Sequence, residues 1–201
     1  MSIAAAAVGL VWFVVAFVGR TVVHRRRTGD SGLRVRSSPP TERVSFIAAI
    51  VLMTLALVLA GVGALEPLEI LDSTLVRWFG LSAAIVGAAA TIVAQLDLGA
   101  SWRIGVDPTE RTELVTDGLF SVVRNPIFSA MILTVIGLAA ASPTWLAIIG
   151  AVATVASIEF QVRRVEEPYL HRVHGSAYDS YAARIGRFVP AVGRREGQSS
   201  V

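Results

Sequence analysis

The residues of this chain best suited to chemistry are Arg124-Asn125-Pro126 and Glu166-Glu167. A polar residue followed by proline marks a helix start, where Asn125 caps the first turn and Pro126 forfeits no hydrogen bond. Free backbone N–H groups at such a start attract an anion, and Arg124 adds positive charge beside them. Taken alone, Arg124 is better explained as a cation at a membrane surface, its stem in lipid and its head in water. Glu166 and Glu167 follow Arg163-Arg164 and can hold a cationic or hydroxylated group. Adjacent residues on a helix do not share a face, so at most one of the two glutamates should point inward. The plain alternative for the pair is a solvated helix end.

Other chemistries find little support. The chain has no cysteine, which excludes disulfides, thiolate metal sites and cysteine nucleophiles. His171 and His174 stand three apart, but no further histidine or cysteine completes a metal site, so no metal is expected. Gly61-Val62-Gly63 lacks the third glycine and the strand context of a dinucleotide loop. No hydrolase triad is visible. All 18 basic residues are arginine, which reads as genome composition, and they flank apolar runs, so nucleic acid is not an expected partner.

The elements that must position these residues are membrane helices. Of 201 residues 54% are hydrophobic and 16% charged, too apolar for a soluble domain. Apolar runs at residues 2–19, 44–65, 75–96, 126–141 and 144–160 predict an all-α, polytopic integral membrane protein of about five transmembrane helices, with a cytoplasmic C-terminal helical segment. The first run precedes its positive charge, the reverse of a cleaved signal peptide, so it is retained with its N-terminus outside. The basic loop 20–43 carries seven arginines against Asp30 and Glu42 and includes Ser37-Ser38-Pro39-Pro40, which reads as a flexible cytoplasmic segment. Glu66, Glu69 and Asp72 fall on the outer side. The expected setting is a bacterial cytoplasmic membrane, with the C-terminus cytoplasmic.

Three regions follow: transmembrane helices 1–3 over residues 1–95, a catalytic region over 96–192 containing the hairpin 126–160, and a disordered tail 193–201. Gly80 with Ala84, and Ala83 with Gly87, predict close helix contact in the third span. Gln95 and Asp97 lie at its end, where either could face the pocket although a solvated helix end is the plainer reading. Asp107-Pro108 reads as a helix start and Ser101-Trp102-Arg103 as a headgroup-layer segment. Ser142-Pro143 marks the reversal within the hairpin. Pro168 is expected to interrupt the last span at Glu167. Gly175 ends that piece, and Ser176-Ala177-Tyr178-Asp179 resembles a capping box opening a further helix, on which Tyr178, Tyr181, Ile185 and Phe188 recur at helical spacing.

The second half resembles the isoprenylcysteine carboxyl methyltransferase family and the related phospholipid methyltransferases, over about residues 96–190. That family has a Gly-x-Tyr/Phe turn, then Arg-His-Pro-x-Tyr-x-Gly opening a helical hairpin. A Glu-Glu pair, a Gly-x-x-Tyr-x-x-Tyr element and an Arg-Phe-x-Pro end follow. Here these read Gly118-Leu119-Phe120, Arg124-Asn125-Pro126-Ile127-Phe128-Ser129-Ala130, Glu166-Glu167, Gly175 through Tyr181 and Arg187-Phe188-Val189-Pro190. Asn125, Phe128 and Ala130 replace the family's histidine, tyrosine and glycine, and Asn125 cannot titrate.

The resemblance implies S-adenosylmethionine as cofactor, bound by Gly118, Leu119, Phe120, Arg124, Asn125, Pro126, Glu166, Glu167, Tyr178 and Tyr181. Arg124 and Glu167 are the implied catalytic pair: Arg124 would position the acceptor or the cofactor carboxylate, and Glu167 or Glu166 would hold its ribose or amino group. The acceptor implied is lipophilic, an isoprenylcysteine-like carboxylate on a prenylated substrate or another membrane lipid. Competing readings are a membrane sterol-type reductase using NADPH and, outside enzymes, a non-catalytic helical scaffold or small transporter. Apart from Arg77 and Glu159 no charge lies at span depth, which argues against an ion path.

Overall fold

The computed structural model describes residues 1–34, 40–105, 107, 111 and 113–195, with the side chains of Glu42 and Ala100 left aside. Five apolar helices make up its body: α1 (Ser2–Thr28), α2 (Pro40–Gly61), α3 (Thr74–Asp97), α4 (Pro126–Ala141) and α5 (Trp145–His174). A short α6 (Ser176–Arg184) follows. No strand occurs among the described residues; only the isolated bridges Leu33–Ile104 and Val123–Gly186 pair extended backbone. The all-α polytopic membrane fold therefore stands.

Four of the helices are long and apolar enough to cross a membrane, whereas α4 has 16 residues. At 1.5 Å per residue α4 reaches about 24 Å, short of a roughly 30 Å hydrocarbon core. Its neighbours make up the difference, because α4 packs along α3 and against α5 and α1. Met53, Leu57, Leu81, Val135 and Leu138 form the main apolar core among these helices. Ile47, Val51, Phe79 and Val152 face outward, as side chains against lipid would.

Small residues bring α3 and α4 together. A Cβ added at Gly80 would lie 2.6 Å from the Ala141 nitrogen, and one at Gly87 2.7 Å from the Thr134 nitrogen. The contact stripe is Gly80, Ala84, Gly87 and Thr91, all buried, and half-buried Ala83 stands beside it. Close backbone approach of this kind replaces the hydrophobic drive that lipid cannot supply between helices.

Several expectations about helix ends are corrected. The first helix does not stop at Gly19 but runs to Thr28, because arginine is a good helix former and Gly29, at φ +79°, provides the left-handed stop. A π turn at Val14–Gly19 interrupts it, and Arg20 N–H reaches back to Val15 O. Pro168 does not break the last span. A second π turn, Val162–Glu166, comes just before it, and the wider i→i+5 spacing relieves the missing N–H and the ring's conflict with the preceding turn.

The hairpin reverses at Ser142-Pro143, but the cap is Thr144, whose hydroxyl accepts from Ala147 N–H. The capping box at Ser176–Asp179 does not form: Gly175 precedes α6, and Asp179 accepts from the His171 ring and pairs with Arg195 instead. Gly193 to Arg195 belong to the fold, with Arg195 N–H donating to Ala182 O. The remaining tail, 196–201, lies outside the described residues, as do Pro108 and the Ser37-Ser38-Pro39 stretch.

Candidate active site

At the end of the bundle carrying the arginine-rich segments, the chain encloses a cavity of about 210 Å³ around the start of α4. Phe120, Arg124, Asn125 and Pro126 line it from the turn preceding α4, and Gln161, Glu166, Tyr169, Tyr178 and Tyr181 from α5 and α6. The hairpin α4–α5 thus returns Glu166 to the corner that Asn125-Pro126 opens. Of the residues named from sequence, Gly118, Leu119 and Glu167 are not part of this lining.

Gly118 and Leu119 act from behind. Gly118 has φ +54°, and a Cβ there would collide with the Asp97 carboxylate. Asp97 Oδ2 accepts from Leu119 N–H at 2.9 Å, pinning the turn that delivers Phe120. Asp97 is therefore a clamp rather than a merely solvated helix end. Gln95 takes the pocket-facing alternative instead of the solvated one: it is 2% exposed, lines the cavity and donates to Ala16 O at 3.0 Å. That carbonyl is the one skipped by the π turn in α1, so Gln95 satisfies a backbone group that would otherwise be orphaned.

Trp102 does not sit in a headgroup layer. It is 2% exposed, with the Arg20 guanidinium 5.2 Å from its ring centroid and His24 tilted against it. Gly32 lies against the indole, where a Cβ would come within 3.0 Å, and Ile104 N–H donates to Gly32 O. Residues 32–34, just after α1, thereby pack on the cavity wall at 102–104.

Glu166 and Glu167 part company, as adjacent helical residues must. Glu166 faces the cavity and accepts from Gln161 Nε2 at 3.3 Å. Glu167, 6% exposed, turns toward the C-terminal segment. Its Oε1 accepts from Arg124 Nη2 at 2.8 Å and Arg187 Nε at 2.7 Å, while Oε2 accepts from Arg187 Nη2 at 2.9 Å. The carboxylate bound to Arg187 holds that guanidinium's pKa above its usual value.

Arg124 donates further to Ala182 O (2.7 Å), Ile185 O (3.0 Å) and Gly193 O (3.0 Å). Backbone pairing completes the seam, with Arg124 N–H to Gly186 O and Asn125 N–H to Arg187 O. Asn125 also donates its Nδ2 to Arg187 O and makes no side-chain cap, so the α4 N–H groups of Ile127 and Phe128 remain open at the cavity.

Residue type and spacing place Arg187 within a motif without assigning it a role, leave Gln95 between pocket and solvent, and assign no site role to Arg103, Gln161 or Tyr169, all of which line the cavity except Arg187. Tyr169 was open to discovery, standing three residues beyond Glu166 on the same helix face. Arg103 stacks on Tyr169, 4.9 Å from the ring centroid, and keeps a buried Nη1 without a hydrogen-bond partner.

Tyr181 donates its hydroxyl to Phe120 O at 2.6 Å, and burial pushes its pKa up to about 12. Burial is also the first cause holding the Tyr178 phenol above its ordinary range. An unfolded tyrosine releases its proton near 10, so stability from Tyr181 is fully present below about pH 10 and is lost as pH rises toward about 12. Tyr181→Phe should flatten this alkaline loss while lowering neutral-pH stability by about 1 kcal/mol through the missing hydrogen bond. Phenolate absorbance followed alongside circular dichroism would test it; an unchanged alkaline profile would contradict the assignment.

Comparison with known families matches residues 75–177 to Phospholipid methyltransferase, a span of half the chain that takes in α3, the cavity turn, the hairpin and Glu166. The chain belongs to the phospholipid methyltransferase family, the family of isoprenylcysteine-methyltransferase-like membrane enzymes. No curated protein and no solved structure matches it. It is thus a membrane methyltransferase for lipid-type substrates.

Proposed function

We propose that the protein is an S-adenosylmethionine-dependent methyltransferase whose cofactor binds in the cavity at the start of α4 and whose acceptor is a lipophilic molecule entering from the membrane. One observation carries this reading: the open N–H groups of α4, an arginine with an unsatisfied buried Nη1 and the carboxylate of Glu166 line a single cavity that also has a wall of apolar side chains. A ligand bearing a carboxylate, an amine, ribose hydroxyls and an aromatic base finds a partner for each. Bound there, S-adenosylmethionine supplies an electrophilic methyl on a sulfonium.

The chain's own groups do the rest. The α4 N-terminus and Arg103 would bind the carboxylate, and Glu166 the ammonium or a ribose hydroxyl. Aromatic faces at Phe120, Tyr178 and Tyr181 would favour the sulfonium. Arg124, Glu167 and Arg187 hold the C-terminal segment over the cavity, which keeps water out and fixes the reactants in line. Asn125 has no proton to transfer, which suits a carboxylate acceptor needing no base; an amine would first have to lose its proton. The N-terminus would lie outside and the cavity on the cytoplasmic side, supported by the arginines near the cavity and by Glu66, Glu69 and Asp72 at the opposite end.

Isothermal titration of the detergent-solubilised protein tests the reading. S-adenosylmethionine should bind, and Glu166→Gln should weaken it about 10- to 100-fold, the worth of a hydrogen bond to a charged group. NADPH binding without S-adenosylmethionine binding would replace the methyltransferase by a reductase.

A further inference from the structure

The cavity has two chemically distinct halves. Glu113, Arg103, Arg124 and Glu166 supply the charge of one, while Phe17, Phe46, Ile47, Ile127, Phe128 and Met131 make the other an apolar chamber between α1, α2 and α4. Phe17, Phe46, Ile127, Phe128 and Met131 belong to one packed cluster, and Ile47 is exposed on the outer face of α2, so the chamber adjoins the surface that lipid covers.

Arg43 is the exception on that side. It lies one turn before Phe46 on α2, half-buried in the cavity wall, and is the only charged side chain that α1, α2 and α3 contribute to the described lining. No hydrogen bond or ion pair engages it among the described residues. Of the other arginines near this end, Arg124 and Arg187 bind Glu167, Arg20 binds backbone carbonyls, Arg103 stacks on Tyr169 and belongs to the charged part of the lining, and Arg25, Arg26 and Arg27 are exposed to solvent. A half-buried guanidinium with no partner among the described residues, at the boundary of an apolar chamber, is available to an anion that reaches it from that chamber.

We infer that Arg43 determines acceptor specificity by binding an anionic group, a carboxylate or a phosphate, on a lipid whose hydrocarbon lies against Phe17, Phe46 and Phe128. Arginine suits either anion because its planar fork bonds both oxygens. A lipid bearing only an ammonium would meet like charge at the same place and be rejected. The inference deepens the methyl-transfer reading, on which it rests for what happens to the lipid once bound. Binding selectivity is measurable without turnover.

The test titrates the full chain in nonionic detergent with dodecanoate, dodecyl phosphate and dodecylamine, read by tryptophan fluorescence, since Trp102 lies in the cavity wall. At least one anion should bind about tenfold or more tighter than the amine, equivalent to about 1.4 kcal/mol. Arg43→Gln should erase that preference and Arg43→Lys restore most of it, with melting temperature and S-adenosylmethionine affinity unchanged in both. Preference for dodecyl phosphate alone would identify a phosphate headgroup, and preference for dodecanoate a lipid carboxylate. Equal binding of the amine by the wild type, or an intact preference in Arg43→Gln, overturns the inference. Absence of S-adenosylmethionine binding with the anion preference intact would overturn the methyltransferase reading instead.

Discussion

Arg124→Ala is expected to release the C-terminal segment and abolish methyl transfer, since Nη1 and Nη2 of the arginine are engaged by the protein and only its buried Nε lacks a hydrogen-bond partner. Arg124 ties Ala182, Ile185 and Gly193 to the turn before α4 and closes onto Glu167. Removing one partner of a buried ion pair costs about 3–5 kcal/mol, because the remaining groups stay desolvated. Glu167→Ala should be comparably severe, leaving Arg124 and Arg187 facing each other without the carboxylate that both bind. Since the two changes remove one shared interaction, the double variant should fall short of the sum by about 1–3 kcal/mol. Melting in detergent gives the energies, and limited proteolysis near Gly175 reports the release. A melting temperature like the wild type's in either variant, with cofactor affinity lost, would instead put that residue in direct contact with the ligand.

The division between the two glutamates shows where sequence reasoning reaches its limit. Helical geometry requires Glu166 and Glu167 to diverge, but which one turns inward depends on the phase of α5. The π turn Val162–Glu166 resets that phase, and nothing in residue type announces it. The same holds for Gln95: its partner, Ala16 O, becomes available only because α1 carries a π turn. Asp97 was read as a solvated end because its acceptor role serves Leu119, 22 residues away across a loop with no periodicity.

The five helices, by contrast, were plain in the sequence, because hydrocarbon length and flanking charge leave few alternatives. The cavity corner was half legible. Asn125-Pro126 marks a helix start in any context, whereas burial of Trp102 beneath Gly32 and Arg20 depends on a contact between two loops.

Gly137→Val is expected to have the largest effect on folding of any substitution in the bundle. A Cβ at this position would lie 2.6 Å from Gly80 O and closer still to the Ala84 nitrogen, so backbone rather than a flexible side chain would have to move. Overpacking that side chains can absorb costs about 1–3 kcal/mol, and here α3 and α4 must separate along a seam of small residues, so the loss should exceed that range. The consequence for function follows from what each helix carries. α3 ends in Gln95 and Asp97, which anchor α1 and the Phe120 turn, and α4 begins at the cavity corner. Separating the helices therefore displaces the clamp from the turn that it holds. Gly137→Ala, which adds the Cβ alone, should weaken S-adenosylmethionine binding together with melting temperature, whereas Glu166→Gln should weaken binding with melting unchanged. Comparing the two variants by thermal melting and titration in the same detergent separates distortion of the scaffold from loss of a ligand contact. A Gly137→Ala protein with wild-type melting would refute the tight seam.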